Sequence, residues 1–181
     1  MKITTIGRGN VGGGLAGLWR QAGHEVQELG RDGGDASGAE AVLLAVPAAA
    51  AGDAIGGVSG IDAPVIDATN VISGGRPEEF DSVAEYVKSL TGGPVAKSFN
   101  LNFARLYDQL GSARARPGML FCGDDEAKPV TTRLIEDAGY EPVDAGDLSS
   151  ARALEDMIRV MFAVSQSTGP FVYRMAPPEQ L

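Results

Sequence analysis

The sequence predicts an α/β chain, with a doubly wound, mainly parallel sheet and a short C-terminal helical extension. Three observations predict it. Short apolar runs alternate with segments of helical periodicity along the chain. The run Ala41 to Val46 is continuously apolar, as a central parallel strand covered on both faces must be. Many of the 25 glycines fall between the apolar runs, where the turns of an alternating chain belong.

Taken in order, Lys2 to Ile6 is the first predicted strand. Val11 to Ala22 follows as a helix, with Leu15, Leu18 and Trp19 at helical spacing and Gly23 to end it. Glu25 to Leu29 is the second strand. Asp32 to Glu40 leaves little room for a helix before the third strand, Ala41 to Val46. Pro47 stops that strand and opens a helix from Ala48 to Ile55. Pro64 to Asp67, a helix over Phe80 to Leu90, and Pro94 to Ser98 continue the alternation. Beyond these, Phe103 to Leu110 reads as helical and Met119 to Cys122 as a strand. Asp124, Asp125 and Glu126 place acids at the start of a helix running to about Ala138, favourable for its dipole. Tyr140 to Val143 is a short strand. A last helix runs from about Leu148 to Ser165, before the tail Gly169 to Leu181.

With 181 residues, the chain is expected to form one domain long enough to bury a full sheet core. Its hydrophobic fraction of 44% fits a globular chain. The net charge is −9 with no basic run, which argues against nucleic acid and membrane surfaces as partners. In so acidic a chain an anionic ligand needs locally placed basic groups. The single cysteine, Cys122, sits in an apolar run and reads as a buried, inert thiol in a reducing, cytoplasmic setting. Strand-like residues begin at Lys2, so no signal peptide is expected before the fold. The longest apolar stretch, Ala41 to Ala51, contains Pro47 and is about half the ~20 residues a membrane span needs.

The most specific local feature is Gly7-Arg8-Gly9-Asn10-Val11-Gly12, a G-x-G-x-x-G loop between the first strand and the first helix. Its first glycine permits a tight turn, its second lets backbone approach a pyrophosphate, and its third lets helix and strand pack closely. The helix N-terminus then faces the anion. Residues 1–100 thus read as the dinucleotide-binding half of a single Rossmann-type domain spanning 1–181, and 101–181 as additional strands and the C-terminal helix. The end of the second strand discriminates between cofactors. An NAD site carries an acid there, on the ribose 2′-hydroxyl. Here Gly30 leaves room without negative charge, and Arg31 offers a planar donor suited to a 2′-phosphate, with Arg8 available from the loop. NADP(H) is therefore the expected cofactor, although Asp32 argues the other way.

Known dehydrogenase schemes are missing. None of Tyr86, Tyr107, Tyr140 or Tyr173 has a lysine four residues on, and too little chain remains for a helical substrate domain. His24, the one histidine, falls in the turn after the first helix, at the end of the sheet away from the crevice, and reads as a satisfied or solvated surface residue. No cluster has metal-ligand spacing. No catalytic acid or base is identified. The chain then either transfers hydride directly, to an acceptor that needs no protein acid, or only binds NADP.

Several segments together resemble one family, the NADP oxidoreductases that reduce the deazaflavin coenzyme F-420. The same Rossmann unit is similar to the cytoplasmic domain of the six-transmembrane metalloreductases. The matching segments are Gly7 to Gly12, Gly30-Arg31, Ala45-Val46-Pro47, Ile66-Asp67-Ala68-Thr69-Asn70, Val95 to Asn100, Phe121 to Asp125 and Val143 to Leu148. The resemblance implies that Arg8, Asn10, Val11 and Arg31 hold NADP. It also implies that Val46 and Pro47 flank the ribose side, beside Ala45 and Asn70. Asn100, Leu101, Asn102 and Phe103 would line the hydride site below a small-molecule acceptor, a deazaflavin or flavin. It implies a homodimer, with C-terminal segments helping to close the site. Asn100 departs from the deazaflavin reductases, which tend to carry histidine there.

Simpler readings stand beside these. Asn70 and Asn100 follow strands and fit turn caps. Lys97 fits a solvated or snorkelling side chain. The last helix, with Met157, Ile158, Val160, Met161, Phe162 and Val164, is apolar on more than one face, which core packing and a dimer interface divide between them. Two function classes follow from the sequence: an oxidoreductase passing hydride between NADPH and a deazaflavin or flavin, and a non-catalytic NADP(H)-binding sensor or partner protein.

Overall fold

In a computed structural model, which describes residues 1–72 and 74–180, seven strands form one sheet. Leu181, the end of the predicted tail, lies outside the described residues. The sheet strands are β1 (Lys2–Ile6), β2 (Glu25–Leu29), β4 (Ala41–Leu44), β6 (Val65–Asp67), β7 (Val95–Lys97), β8 (Gly118–Gly123) and β9 (Glu141–Asp144). Their spatial order is β2-β1-β4-β6-β7-β8-β9. All neighbours are parallel except β7 and β8, which pair antiparallel with Lys97 opposite Cys122. Two-residue strands β3 (Gly34–Asp35) and β5 (Val58–Ser59) pair separately. Strand β3 occupies the short 32–40 connection, where no helix forms. This is the doubly wound, Rossmann-like architecture expected. The chain order reverses at β1, because β2 lies on one side of it and β4 on the other. That reversal opens a crevice at the carboxyl ends of the strands.

Period-two alternation divides the core between the two faces of the sheet. Val42, Leu44, Val65, Val95 and Leu120 point to one face, where helices α3 (Val83–Thr91) and α5 (Ala151–Thr168) supply Val83, Val87, Leu154 and Ile158. Leu43, Ile66, Met119 and Phe121 point to the other, against Leu15 and Trp19 of α1 (Asn10–Gln21) and Leu134 and Ile135 of α4 (Lys128–Asp137). All four residues of β4 are buried, as its unbroken apolar run requires.

Element ends differ from expectation for identifiable reasons. After Pro47 a 3-10 turn, Ala48–Ala50, precedes α2 (Ala51–Gly56). Helix α3 starts at Val83 rather than Phe80, because Ser82 caps it by accepting the Glu85 N–H at 3.1 Å. Residues 104–112 wind as 3-10 rather than α. Asp124, Asp125 and Glu126 do not sit in the first turn of α4, which begins at Lys128 and has no acid there. Asp124 instead accepts the Val95 N–H at 2.9 Å and pairs with Lys88, so it joins the β8 end to β7 and α3.

Candidate functional site

At the end of β1 the glycines do three separate jobs. Gly7 has φ +110, and a Cβ there would lie 2.3 Å from the Ala45 carbonyl oxygen. A Cβ on Gly12 would lie 2.0 Å from the Gly7 carbonyl oxygen, so helix and loop could not pack with a side chain between them. Gly9 is different: a Cβ there would meet nothing within 4 Å, so its bare backbone faces open space. Gly9 is also the N-cap of α1 and brings no side-chain cap, which leaves the helix N-terminus to other partners.

The segment after β2 turns tightly. The Gly33 N–H donates to the Gly30 carbonyl at 3.2 Å, with Arg31 and Asp32 exposed at the tip. The Arg8 guanidinium lies directly on Gly30, where a Cβ would come within 2.4 Å of Nη2. Gly30 therefore matters for the space it leaves to an arginine. A cleft of about 870 Å³ results, within the range of small-molecule sites. Of the residues singled out in the sequence, Gly7, Arg8, Gly9, Gly30, Arg31, Ala45, Val46 and Pro47 line it. Asn10, Val11, Gly12 and Asn70 are not among its lining residues; Asn10 and Gly12 belong to α1 at the cleft's margin. Gly33, Ala50, Asp53, Ala54 and Gly57 line it unforeseen. They are brought there by α2 and by the β3–β5 pairing, which two residues per strand did not announce in the sequence.

Two strands further along the same sheet edge, the ends of β6 and β7 carry a buried polar network. Lys97, expected to be solvated or snorkelling, is 0% exposed. Its Nζ donates to Asp67 Oδ2 at 2.8 Å, to the Thr69 carbonyl at 2.6 Å and to Thr69 Oγ1 at 3.3 Å, and lies 3.1 Å from Glu155 Oε1. Glu155 Oε1 also accepts the N–H of Val83, the first residue of α3, at 2.8 Å. Burial pushes the Glu155 carboxyl above its ordinary range and Lys97 pulls it back, with Asp67 adding to the rise. One ammonium thus serves two enclosed carboxylates. The sequence does carry a signal for Glu155: it is a lone acid on the apolar stripe Ala151, Leu154, Ile158 and Met161.

Asn70 and Asn100 are brought together, though not as turn caps. Asn70 Nδ2 donates to the Asn100 carbonyl at 2.6 Å, and Asn100 Nδ2 donates to Asn70 Oδ1 and to the Leu154 carbonyl, each at 3.0 Å. Phe99, between Ser98 and Asn100, is the one described non-glycine residue at positive φ, at 60°. Asn100, Leu101 and Asn102 are buried, and Asn102 Nδ2 donates to the Gly118 carbonyl at 3.4 Å. Of the four residues expected at the hydride site only Phe103 is partly exposed, and none lines the cleft.

His24 is buried rather than at the surface. Its Nε2 lies 2.8 Å from Asp137 Oδ2, so it joins α4 to the turn after α1, away from the cleft. Cys122 is buried as expected, and that burial pushes its thiol up to about 12. Among the described residues no helix is long and apolar enough to cross a membrane, and no group of three or more metal-ligating side chains occurs.

No protein-family model matches the chain. It is 34% identical over 93 residues to the metalloreductase STEAP3 of Rattus norvegicus, a match covering 50% of this chain and 19% of that protein. It spans only about a fifth of that relative. Its fold is similar to the crystal structure of a candidate F-420-dependent NADP reductase from Arthrobacter sp. FB24, with a TM-score of 0.79 and 23% identity over 98% of this chain and 100% of the other. It is also similar to a reductive aminase from Aspergillus terreus in complex with NADPH, with a TM-score of 0.68 and 14% identity over 91% of this chain and 62% of the other. The two families that the motifs resemble are thus met again among these similarities, and the Rossmann-like fold of the whole chain is shared with solved structures.

Proposed function

We propose that the protein is an NADP(H)-dependent oxidoreductase that transfers hydride directly between NADPH and a deazaflavin or flavin acceptor. One observation carries the reading: the open backbone of Gly9 stands beside an arginine laid on Gly30, at the switch point of the sheet. That arrangement fits a dinucleotide with a phosphorylated ribose. In it, Gly9 and the N-terminus of α1, with Asn10 and Val11, hold the pyrophosphate. Arg8 and Arg31 bind the 2′-phosphate, in a place where an NAD site would carry an acid. Ala45, Val46 and Pro47 form the apolar wall beside the adenosine. Asn70 and Asn100, bonded to one another, fix the two loops bounding the far half of the cofactor. When bound, the cofactor supplies the hydride. The chain's own contribution is proximity and orientation, which can lower a barrier by about 7–11 kcal/mol in the best cases. The similarities to NADP-linked reductases support this reading.

A homodimer through α5 belongs to the same reading. Residues 162–168 of that helix bury no side chain, and Val160 and Val164 are exposed. At about 100° per residue these two share a face turned away from the side that packs on the domain.

The test is calorimetric titration of NADPH and NADH, followed by stopped-flow oxidation of NADPH with deazaflavin, FMN, FAD and ferric chelates side by side. NADPH should bind more tightly than NADH, Arg31→Ala should remove most of that preference, and one ring acceptor should oxidise NADPH. Equal affinity for both cofactors, or tight NADPH binding without turnover on any acceptor, would overturn the reading.

A further inference from the structure

One wall of the cleft has no part in holding the phosphates. Ala50, Asp53, Ala54 and Gly57 line it together. Their spacing of i, i+3, i+4 and i+7 puts them on one face of the helical segment that runs from the 3-10 turn through α2 to its C-cap, Gly57. Three of the four are alanine or glycine, so the face is low and flat, and Asp53 carries its one functional side chain. The wall abuts the turn that bears Arg31. The Gly34 N–H donates to the Gly57 carbonyl at 3.1 Å, and a Cβ on Gly33 would run into that same carbonyl.

Asp53 is exposed on this wall, and among the described residues its carboxylate meets no cation and no hydrogen-bond donor. An acid in the first turn of α2 complements the helix dipole, a role that does not require the cleft side. Toward the proposed ligand its charge is unfavourable. The chain already stands at −9, and a carboxylate here repels the pyrophosphate and 2′-phosphate that Arg8 and Arg31 attract. That repulsion is offset where the carboxylate accepts a hydrogen bond from the ligand. Phosphates offer no donor. The donors of NADPH are its ribose hydroxyls, the carboxamide at its far end and the exocyclic amine of its base. The adenosine ribose belongs at the end of β2, beside Arg8 and Arg31. The base is the part that reaches past it onto the flat face of α2.

We infer that Asp53 is a specificity residue: its carboxylate accepts from the 6-amino group of a purine lying on Ala50, Ala54 and Gly57, so the cleft selects a 6-amino over a 6-oxo base. The inference rests on reading the cleft as an NADP(H) site. The glycine loop and the two arginines do not supply this selection, because the phosphates they meet are the same in every purine dinucleotide. A 6-oxo ring turns an acceptor toward the carboxylate, so the bond is lost and two acceptors face each other. A site built to accept from a ligand N–H rejects the analogue that lacks it far better than size alone allows. The carboxylate can only accept, whereas an asparagine amide of the same shape both donates and accepts. Asp32 also lines the cleft, but it stands on the other wall, next to Arg31 at the tip of the turn. Its charge bears on the phosphate side and not on the base.

The experiment is calorimetric titration of the full chain with NADPH and with its hypoxanthine analogue, in which an oxo group replaces the 6-amino group and all else is kept. NADH is titrated alongside. The wild type should bind NADPH about ten-fold more tightly than the analogue, the scale of one charge-assisted hydrogen bond. Asp53→Asn should bring the two within about two-fold, and so should Asp53→Ala, which stands in if the first variant misfolds by circular dichroism. The ratio of the two dissociation constants is the readout, because the general gain from removing a negative charge is common to both ligands. Asp32→Asn should leave the ratio at about ten-fold. If the wild type binds both ligands equally, or if the Asp53 variants shift the melting temperature and keep the ratio, Asp53 serves the helix end only and the inference is overturned. A preference for NADPH over NADH in that case leaves the cofactor reading standing. Loss of the ratio in Asp32→Asn and not in Asp53→Asn overturns it too. If the ratio depends on Asp53 while NADH binds as tightly as NADPH, the 2′-phosphate reading falls and the base selection stands. If none of the three ligands binds, both fall together.

Discussion

Replacing Lys97 with methionine should cost far more than a single exposed ion pair would. Methionine roughly keeps the length of the side chain and removes the ammonium group. Four contacts go with it: Asp67 Oδ2 at 2.8 Å, Glu155 Oε1 at 3.1 Å, the Thr69 carbonyl at 2.6 Å and the Thr69 hydroxyl at 3.3 Å. Asp67 and Glu155 have no solvent to turn to, at 0% and 2% exposure. Removing one partner of a buried pair costs about 3–5 kcal/mol, because a charge is stranded in a medium that cannot solvate it. At about 2–4 °C per kcal/mol for a chain of this size, the melting temperature should fall by roughly 6–20 °C. Urea unfolding followed by circular dichroism measures the loss, and an unchanged m-value shows that the native state has kept its extent. Adding Asp67→Asn to Lys97→Met should return part of the loss. The pH dependence follows from the direction of the Glu155 shift. Burial raises its folded-state pKa, so the folded chain holds that proton more tightly than the unfolded chain does. Its contribution to stability therefore falls as pH rises from the ordinary carboxylate range, about 4, through the raised value, and is level above it. Without the pull of Lys97 that rise is larger, so the gap between wild type and variant should narrow as pH is lowered from about 8 to about 5. A loss below about 1 kcal/mol, or a gap equal at both pH values, would refute the charge argument.

Three further outcomes follow. Gly9→Val should fold with an unchanged melting temperature, since a side chain there meets nothing within 4 Å, yet should lose calorimetric binding of both NADPH and NADH; normal NADPH binding would remove the loop as the phosphate site. Gly30→Ala places a Cβ 2.4 Å from Arg8 Nη2 and should push the guanidinium aside, weakening NADPH by about 1–2 kcal/mol while sparing NADH; equal losses would show that Arg8 does not read the 2′-phosphate. Cys122, buried and with its thiol pushed up to about 12, should resist an aromatic disulfide reagent at about pH 8 in the native state and react once urea unfolds the chain; rapid native labelling would mean that β8 opens.

What is legible in the sequence follows from periodicity and from glycine chemistry. The unbroken apolar run of β4, the alternation on either side of it and the position of Gly7 to Gly12 are all local signals, and the sheet and cleft follow from them. The Arg8 placement is only half legible. Gly30 reads as a gap left for a ligand, whereas the gap is filled by a side chain from 22 residues earlier in the sequence. Lys97 and His24 mislead for one reason: their partners are distant in sequence. Asp67 and Glu155 come from another strand and the last helix, and Asp137 lies 113 residues from His24. A charged residue at a strand end reads as solvated until tertiary pairing is known. The acids at 124–126 are displaced for a different reason. Local dipole complementarity is worth only about 0.3–1 kcal/mol, and Asp124 instead holds the Val95 N–H and Lys88.

The C-terminal extension is more than a cover for the sheet, because the polar network ties it to the loops that follow β6 and β7. Glu155 reaches Lys97 of β7 and the N-terminus of α3, while the Leu154 carbonyl accepts from Asn100, whose amide also bonds Asn70 after β6. Between these anchors Phe99 is held at φ 60, a conformation that costs a non-glycine residue about 1–3 kcal/mol and persists only when its surroundings over-determine it. Its ring is locked edge-on against Trp19 of α1, with centroids 5.7 Å apart. The backbone thus leaves β7 in a direction set jointly by α1, through Trp19, and by α5, through Leu154 and Glu155. Four residues later it presents Phe103 to Phe162 of the same α5. The glycine loop opens α1, so the proposed cofactor site and the C-terminal helix share one strained turn as their common support. Loosening α5 at Glu155 should then disturb the geometry at Phe103 before it disturbs the cleft at Gly9.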